Sequence, residues 1–519
     1  MTENPPSTTN SPLSRGTADA RRVISVRNWP RNVVFVLLLC LIASACSTQV
    51  PVDVTAAAVA DERSADERSA DERSADERSA DERSADQSEA TSTTIATVDQ
   101  DAGSASLTTA SPPRGNSLAA GDFSSVDLSE FDTGDDPEAL PCVAPETGPL
   151  TAPPAEVVAA LEAATNHPDF VGLDVGVSVW IDGWGEVATR TPNLPLVPAS
   201  NEKILVAHAA NELLNSETTI DTTVEQVGSD LVLRAAGDPT FSTYRANALV
   251  DQVVARGITS ADRLVIDISE FPQPSAATGW ESWQLRNFVG PLSGLMLDRN
   301  RWNTTAEFLE TPALLNGQWM ADVFRSSGIE IGTVEIGSPP TGPTVGSVES
   351  EPIGALVRQM MLASDNQIAD MTVLQLGLLQ GQGTLDDGFD QIDGVLAELC
   401  VPISGVMDDG SGLSRFNQRS AREFQEILRA IRETDSADTF VTQLPVGGVS
   451  GTLRNRFRGD AGRVQAKTGT IFGGRALSGY ATTDSGRDAV FSIIINGERD
   501  RTSASLGALD ALVRTILRS

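Results

Sequence analysis

Apolar and polar residues alternate from Asp174 to Trp180 (Asp-Val-Gly-Val-Ser-Val-Trp), the two-residue period of a strand with one face buried. Asp182-Gly183-Trp184-Gly185 reads as a turn, and Val187 to Thr189 begins a returning strand. The period changes after Pro198-Ala199, where Ile204, Leu205, Ala207, His208 and Leu213 recur at helical spacing. Leu231–Arg234 and Arg263–Ile266 are strand-like, and 352–376 reads as helical. Three more strands, Val464–Ile471, Ala476–Thr482 and Ala489–Ile495, precede a terminal helix over 502–517. Strands at both ends with helices between predict one α/β (α+β) unit whose sheet joins N- and C-terminal segments. Residues 240–345 mix strand patterns with loops and read as a smaller inserted domain, leaving 141–239 and 346–519 for the main one.

The first 140 residues have a different character. Residues 1–32 are polar, with Arg15, Arg21, Arg22, Arg27 and Arg31, and Val33 to Ala45 is a nearly unbroken apolar run of 13 residues. A basic stretch, a short apolar run and small residues at its end describe an export signal, short of the ~20 residues that span a bilayer. Cys46 after Ala43-Ser44-Ala45 is similar to a lipobox, whose cysteine is lipidated and becomes the mature N-terminus. An ordinary cleaved signal and an uncleaved anchor are the alternatives. Every option exports the remainder to the outer face of the plasma membrane and the cell wall. Residues 60–84 are five tandem copies of Ala-Asp-Glu-Arg-Ser with no apolar stripe to bury, and 91–140 stay rich in Ser, Thr, Asp, Gly and Pro. We therefore read 1–46 as the export segment and 47–140 as a disordered tether that lets a catalytic unit reach into the wall.

Net charge is −33, which argues against nucleic acid as a partner because its phosphates would be repelled. The repeats hold ten acids against five arginines, so most of the excess lies elsewhere. Cys40 and Cys46 belong to the export segment. Cys142 and Cys400 remain as an even pair in an exported protein and read as a disulfide, with two buried thiols as the alternative. No nucleotide loop and no metal-ligand pattern stands out, so neither cofactor nor metal is expected.

Ser200-Asn201-Glu202-Lys203, Ser364-Asp365-Asn366 and Lys467-Thr468-Gly469-Thr470 occur in that order, each in a fitting context. Any one is weak; together they point to serine acyl transfer of the penicillin-recognising class. That chemistry uses a lysine base, so a chain with only His167 and His208 lacks nothing. Residues three apart share a helix face, which sets Lys203 one turn below Ser200 at a positive helix terminus. Ser200 would attack a carbonyl, and Lys203 would take its proton once burial and a second cation, Lys467, depress its pKa. The Ser364 hydroxyl would relay a proton to the leaving amine, and Asn366 would bond the substrate's amide. Lys467, Thr468 and Thr470 would hold a terminal carboxylate, with Gly469 letting substrate lie edge-on against the strand. The N–H groups of Ser200 and Thr470 are the expected oxyanion hole, each donor worth ~3 kcal/mol.

Further blocks surround these motifs: Leu194 to Lys203 (LPLVPASNEK), Ala236 to Pro239, Leu295 to Asn300 (LMLDRN) and Asp409 to Arg415 (DGSGLSR). Leu444-Pro445, Gly451-Thr452-Leu453 and Ala476 to Tyr480 (ALSGY) complete the set. With them, residues 170–517 resemble the D-alanyl-D-alanine carboxypeptidase/endopeptidase family of penicillin-binding protein 4, the class C low-molecular-mass penicillin-binding proteins. The resemblance implies a β-lactamase/transpeptidase-like fold, an antiparallel sheet flanked by helices. It implies removal of the terminal D-alanine from peptidoglycan stem peptides, cleavage of cross-links by some members, and inhibition by β-lactams. Ser200 and Ser364 are 164 positions apart, shorter than in members with two inserted modules, so one compact insertion, or a trimmed second one, is expected. Ala369-Asp370 stands where the family often has Ala-Glu. The DGSGLSR block reads as adjacent to the site, outside the catalytic set.

Two other functions compete. A serine β-lactamase shares the acylation step, but no Glu-x-x-Leu-Asn pattern follows Ser364-Asp365-Asn366 to activate a deacylating water. A non-catalytic wall-binding scaffold lipoprotein is opposed by the intact motifs.

Overall fold

The computed structural model describes residues 148–271, 276–300, 305 and 310–519. The expectations for the export segment, Cys46, the repeat-bearing tether and Cys142 lie outside the described residues. Cys400 is disulfide-bonded.

Helix α1 (Ala155–Thr165) leads into β1 (Asp174–Ile181) and β2 (Gly185–Arg190), joined by the expected tight turn. Strand β1 is buried on both faces rather than one. Its odd-numbered Val175, Val177, Val179 and Ile181 enter one apolar core, while Ser178 and Trp180 turn to the opposite face, where Arg429 lies 3.6 Å over the Trp180 ring. After a 3-10 turn at Ala199–Glu202 comes α2 (Lys203–Leu213).

A second sheet follows: β3 (Asp221–Val227), β4 (Asp230–Ala235), α3 (Thr243–Ala255), β5 (Ser260–Asp267), α4 (Pro312–Ser326), β6 (Glu330–Ile336) and β7 (Thr344–Glu349). Its order is β6-β5-β4-β3-β7, parallel across β4–β5–β6 and antiparallel elsewhere. This sheet takes in residues 221–349, reaching past both ends of the 240–345 expected for an inserted domain. The β3–β4 hairpin hydrogen-bonds to β5 and β7, a choice of partner that a local pattern cannot express.

Helices α5 (Ile353–Ala363) and α6 (Asn366–Gly377) replace the single helix expected over 352–376. Ser364 ends the first in the left-handed region (φ 57), and Asp365 caps the second by accepting from Ile368 N at 3.1 Å. Then come α7 (Leu385–Glu398) and α8 (Ala421–Ile431), and β8 (Val464–Ile471), β9 (Gly474–Thr482) and β10 (Asp488–Asn496). The end of the chain breaks at Ser505 into Arg499–Ala504 and α9 (Leu506–Leu517), where one helix over 502–517 was expected.

The main sheet runs β2-β1-β10-β9-β8, antiparallel throughout, so N- and C-terminal strands join as predicted. Helices α1 and α9 cover one face and α8 the other. Beyond α8 lies a mainly helical core in which Leu205, Met360, Ile368, Met371, Ile392 and Phe424 pack together. This is a mixed α/β fold with β8 at the edge of its sheet. Among the described residues no helix is long and apolar enough to cross a membrane.

Candidate active site

The three motifs meet between the helical core and strand β8. Ser200 sits on the 3-10 turn, and Lys203 opens α2 one turn later, as helix geometry requires. The Lys203 side chain is completely buried. Its Nζ donates to Ser200 Oγ at 3.0 Å, to Asn366 Oδ1 at 2.8 Å and to the Ser411 carbonyl. Burial lowers its pKa from 10.5 to about 8, against the opposing pull of Asp370, Asp409, Asp365 and Glu202. The like-charge repulsion between the two lysines is felt at Lys467, which burial first and Lys203 second hold well below the ordinary lysine range.

Lys467 is buried and donates to Ser364 Oγ and to the Thr468 carbonyl, both at 2.8 Å. The left-handed turn at Ser364 aims its hydroxyl at that ammonium. Two hydrogen-bonded sets thus meet here, Lys203 with Ser200 and Asn366, and Lys467 with Ser364.

Three other motif residues have surroundings of their own. Asn366 was expected to bond substrate, yet its Oδ1 is taken by Lys203 and its Nδ2 donates to the Phe288 carbonyl at 3.3 Å. It orients the lysine first. Thr468 Oγ1 faces Thr452 Oγ1 at 2.8 Å, a pair of hydroxyls at the rim. Gly469 is buried with its absent side chain turned inward: a Cβ there would lie 2.9 Å from the Pro198 carbonyl and 3.1 Å from Ala199 Cβ. Glycine at this position lets the strand lie against the serine-bearing turn. Thr470 is exposed on β8. Segment 445–447 covers the first half of that edge through Gly447 N to Val464 O and Ala466 N to Pro445 O. From Lys467 onward the edge has no backbone partner among the described residues, which leaves it open to an extended peptide.

The loop at Asp409–Arg415, read from sequence as adjacent to the site and outside the catalytic set, touches the base. The Asp409 carboxylate accepts from the N–H groups of Gly412, Leu413 and Ser414 and from Trp280 Nε1, at 2.6–3.0 Å. The loop so wound delivers the Ser411 carbonyl to Lys203. An acid followed by Gly-Ser-Gly was the available signal, since such residues build side-chain-to-backbone turns. Missed in the sequence is a buried charge trio under the serine turn. Arg419 donates to Glu202 at 3.1 Å and to Glu423 at 2.8 Å, and burial raises Glu202 from 4.5 to about 7 against the pull of Arg419. His208 is buried in the helical core, where desolvation lowers its pKa to about 4 and keeps it neutral at pH 7. Among the described residues no cluster of His, Cys, Asp and Glu is arranged to hold a metal.

Comparison with known proteins places this geometry in context. The D-Ala-D-Ala carboxypeptidase 3 (S13) family model matches residues 157–310 and 308–516. Carboxypeptidase DacB of Mycolicibacterium smegmatis is 31% identical over 430 residues, covering 74% of this chain and 92% of the relative. A D-alanyl-D-alanine carboxypeptidase of an Actinomadura species is 28% identical over 447 residues, 68% of this chain and 82% of its own. The crystal structure of penicillin-binding protein 4 (dacB) from Haemophilus influenzae shares the fold with TM-score 0.60 at 19% identity, over 70% of this chain and 99% of that one.

Proposed function

The chain belongs to the D-Ala-D-Ala carboxypeptidase 3 (S13) family, and from that premise we propose that it is a serine D-Ala-D-Ala carboxypeptidase acting on peptidoglycan stem peptides through an acyl-enzyme on Ser200. One observation carries the assignment of residues: the buried Lys203 Nζ stands 3.0 Å from Ser200 Oγ and 2.8 Å from Asn366 Oδ1, of the same motif whose Ser364 accepts from Lys467.

In this reading the neutral fraction of Lys203 takes the Ser200 proton as Oγ attacks the carbonyl between the two D-alanines. The N–H groups of Ser200 and Thr470 receive the negative charge on the carbonyl oxygen. Collapse of the tetrahedral adduct breaks the C–N bond, and the proton that Lys203 took passes through the Ser364 hydroxyl, which Lys467 holds, to the leaving amine, so that Lys203 is neutral again. Water then hydrolyses the ester, with Lys203 again accepting a proton. Lys467, Thr468 and Thr470 attract the terminal carboxylate, and the open half of β8 takes the stem peptide as an added strand. Cleavage of cross-links by the same acylation is the second activity. Penicillins acylate Ser200 because they present a reactive amide beside a carboxylate. Lipidation at Cys46, the 47–140 tether and a Cys142–Cys400 bond complete the proposal, keeping the catalytic unit at the outer membrane face and within reach of the wall.

The test follows the intact mass of the full-length chain with benzylpenicillin, beside Ser200→Ala. A long-lived adduct of one drug, absent in the variant, supports the reading, and D-alanine release from a D-Ala-D-Ala peptide then completes it. Rapid drug hydrolysis without accumulation favours a β-lactamase instead. Folded protein with neither adduct nor turnover favours a scaffold.

A further inference from the structure

Helix α6 directs two side chains toward the base, and the reaction above uses only one of them. Asn366 touches Lys203 Nζ directly. Asp370, four residues on and so on the same face, is completely buried. Its Oδ1 accepts from both Gly410 N and Ser411 N at 2.9 Å. Those two amides precede the Ser411 carbonyl that receives Nζ. Its Oδ2 is buried with no hydrogen-bond partner among the described residues. Burying a carboxylate with one oxygen unsatisfied is costly. A tether for the loop would not require it, because asparagine offers the same Oδ1 acceptor without the charge.

Resting on the acyl-enzyme reading above, we propose that Asp370 is a positioning residue for the lysine base. It fixes the Ser411 carbonyl against Nζ, and its ionised form, which burial disfavours, is the leading acid that favours the ammonium. Every charged group at this spot enters the expected effect. Burial dominates Lys203 and lowers its pKa; Asp370 leads the opposing acids, ahead of Asp409, Asp365 and Glu202. Asp370 is itself raised by burial and by Asp409, while Lys203 and the loop hydrogen bonds pull it down. Lys467, the other cation, is lowered by burial and by Lys203. Removing the charge at 370 removes the leading acid that favours the ammonium, so Lys203 becomes a neutral base at lower pH.

The experiment measures the second-order rate constant for acylation of the full-length protein by benzylpenicillin from pH 5.5 to 10, with melting temperatures alongside. Asp370→Asn is expected to lower the high-pH plateau roughly tenfold or more. It should also move the acid limb down by about one pH unit. A plateau and limb like those of the wild type overturn the proposal, and so does a lower plateau with an unmoved limb, which marks a purely structural role. Should Asp370→Asn fail to fold, Asp370→Glu decides: it keeps the charge while its extra methylene displaces the loop, so an unmoved limb with a lowered plateau is required, and a wild-type plateau sinks the idea. A wild-type protein that forms no adduct overturns the acyl-enzyme reading itself, an outcome distinct from all of these.

Discussion

Lys203 is surrounded by four acids that favour its ammonium, and burial still wins, bringing it to about 8. The base is thus partly neutral near pH 7 and mostly so above 8. Acylation by benzylpenicillin should therefore rise with pH through about 8, and Lys203→Ala should lose roughly a hundredfold or more in a stopped-flow or mass-based rate. Glu202, next to it, is raised in the opposite sense. Its folded pKa of about 7 exceeds the ordinary 4.5, so its contribution to stability is full below 4.5 and is lost as pH rises through 7. Glu202→Gln imitates the protonated form. Thermal unfolding should show the variant gaining on the wild type between pH 4.5 and 8, by on the order of 1–3 kcal/mol. The serine and both lysines were legible as motif residues. Asp370 and Asp409 were not given roles, because what they do depends on a loop some forty residues further along meeting helix α6.

Strand β8 has the bounds the alternation predicts, Val464–Ile471, and β1, β9 and β10 lie within a residue or two of expectation. Short strand-forming runs bounded by turn residues leave little freedom, whether they alternate as in β1 or are mostly apolar as in β10. The break at Ser364-Asp365 was hidden, because apolar residues keep helical spacing across it and a left-handed serine is uncommon. Close approach of elements was equally invisible. Gly412 has φ 77, and a Cβ there would overlap the Ala199 carbonyl, so the DGSG loop and the serine turn touch backbone to backbone. Gly412→Ala should cost at least about 2 kcal/mol in chemical unfolding and reduce drug acylation more than in proportion, because the displaced atoms flank Ser200.

At the level of the whole molecule, the inserted sheet reaches the active site through one loop. Asp298, Arg299 and Asn300 all have positive φ (45, 64 and 53), and Arg299 pairs with the buried Asp365 of the Ser-Asp-Asn motif. Asn300 is held in turn by Asn316 of α4, whose Nδ2 donates to its Oδ1 at 2.7 Å. The insertion therefore braces the catalytic turn. Arg299→Ala should lower stability by roughly 1–3 kcal/mol, since its partner carboxylate is buried while the guanidinium is partly exposed. Acylation should fall about tenfold while Ser200→Ala remains the only null among these variants. A melting temperature and rate equal to the wild type would deny the brace.

By itself the sequence determined the family, the fold class and the identity of the motif residues, because each rests on local pattern: a two-residue period, a three-residue step on a helix, a glycine in a strand. It also pointed to one sheet shared by the two ends of the domain, from strand patterns at both ends with helices between. Tertiary structure alone decided which sheet the β3–β4 hairpin joins, why Gly469 and Gly412 have no side chain, and which carbonyl faces the base. Those are contacts between residues up to some 270 positions apart, set by how buried faces of separate elements fit together, and no local period along the chain records them.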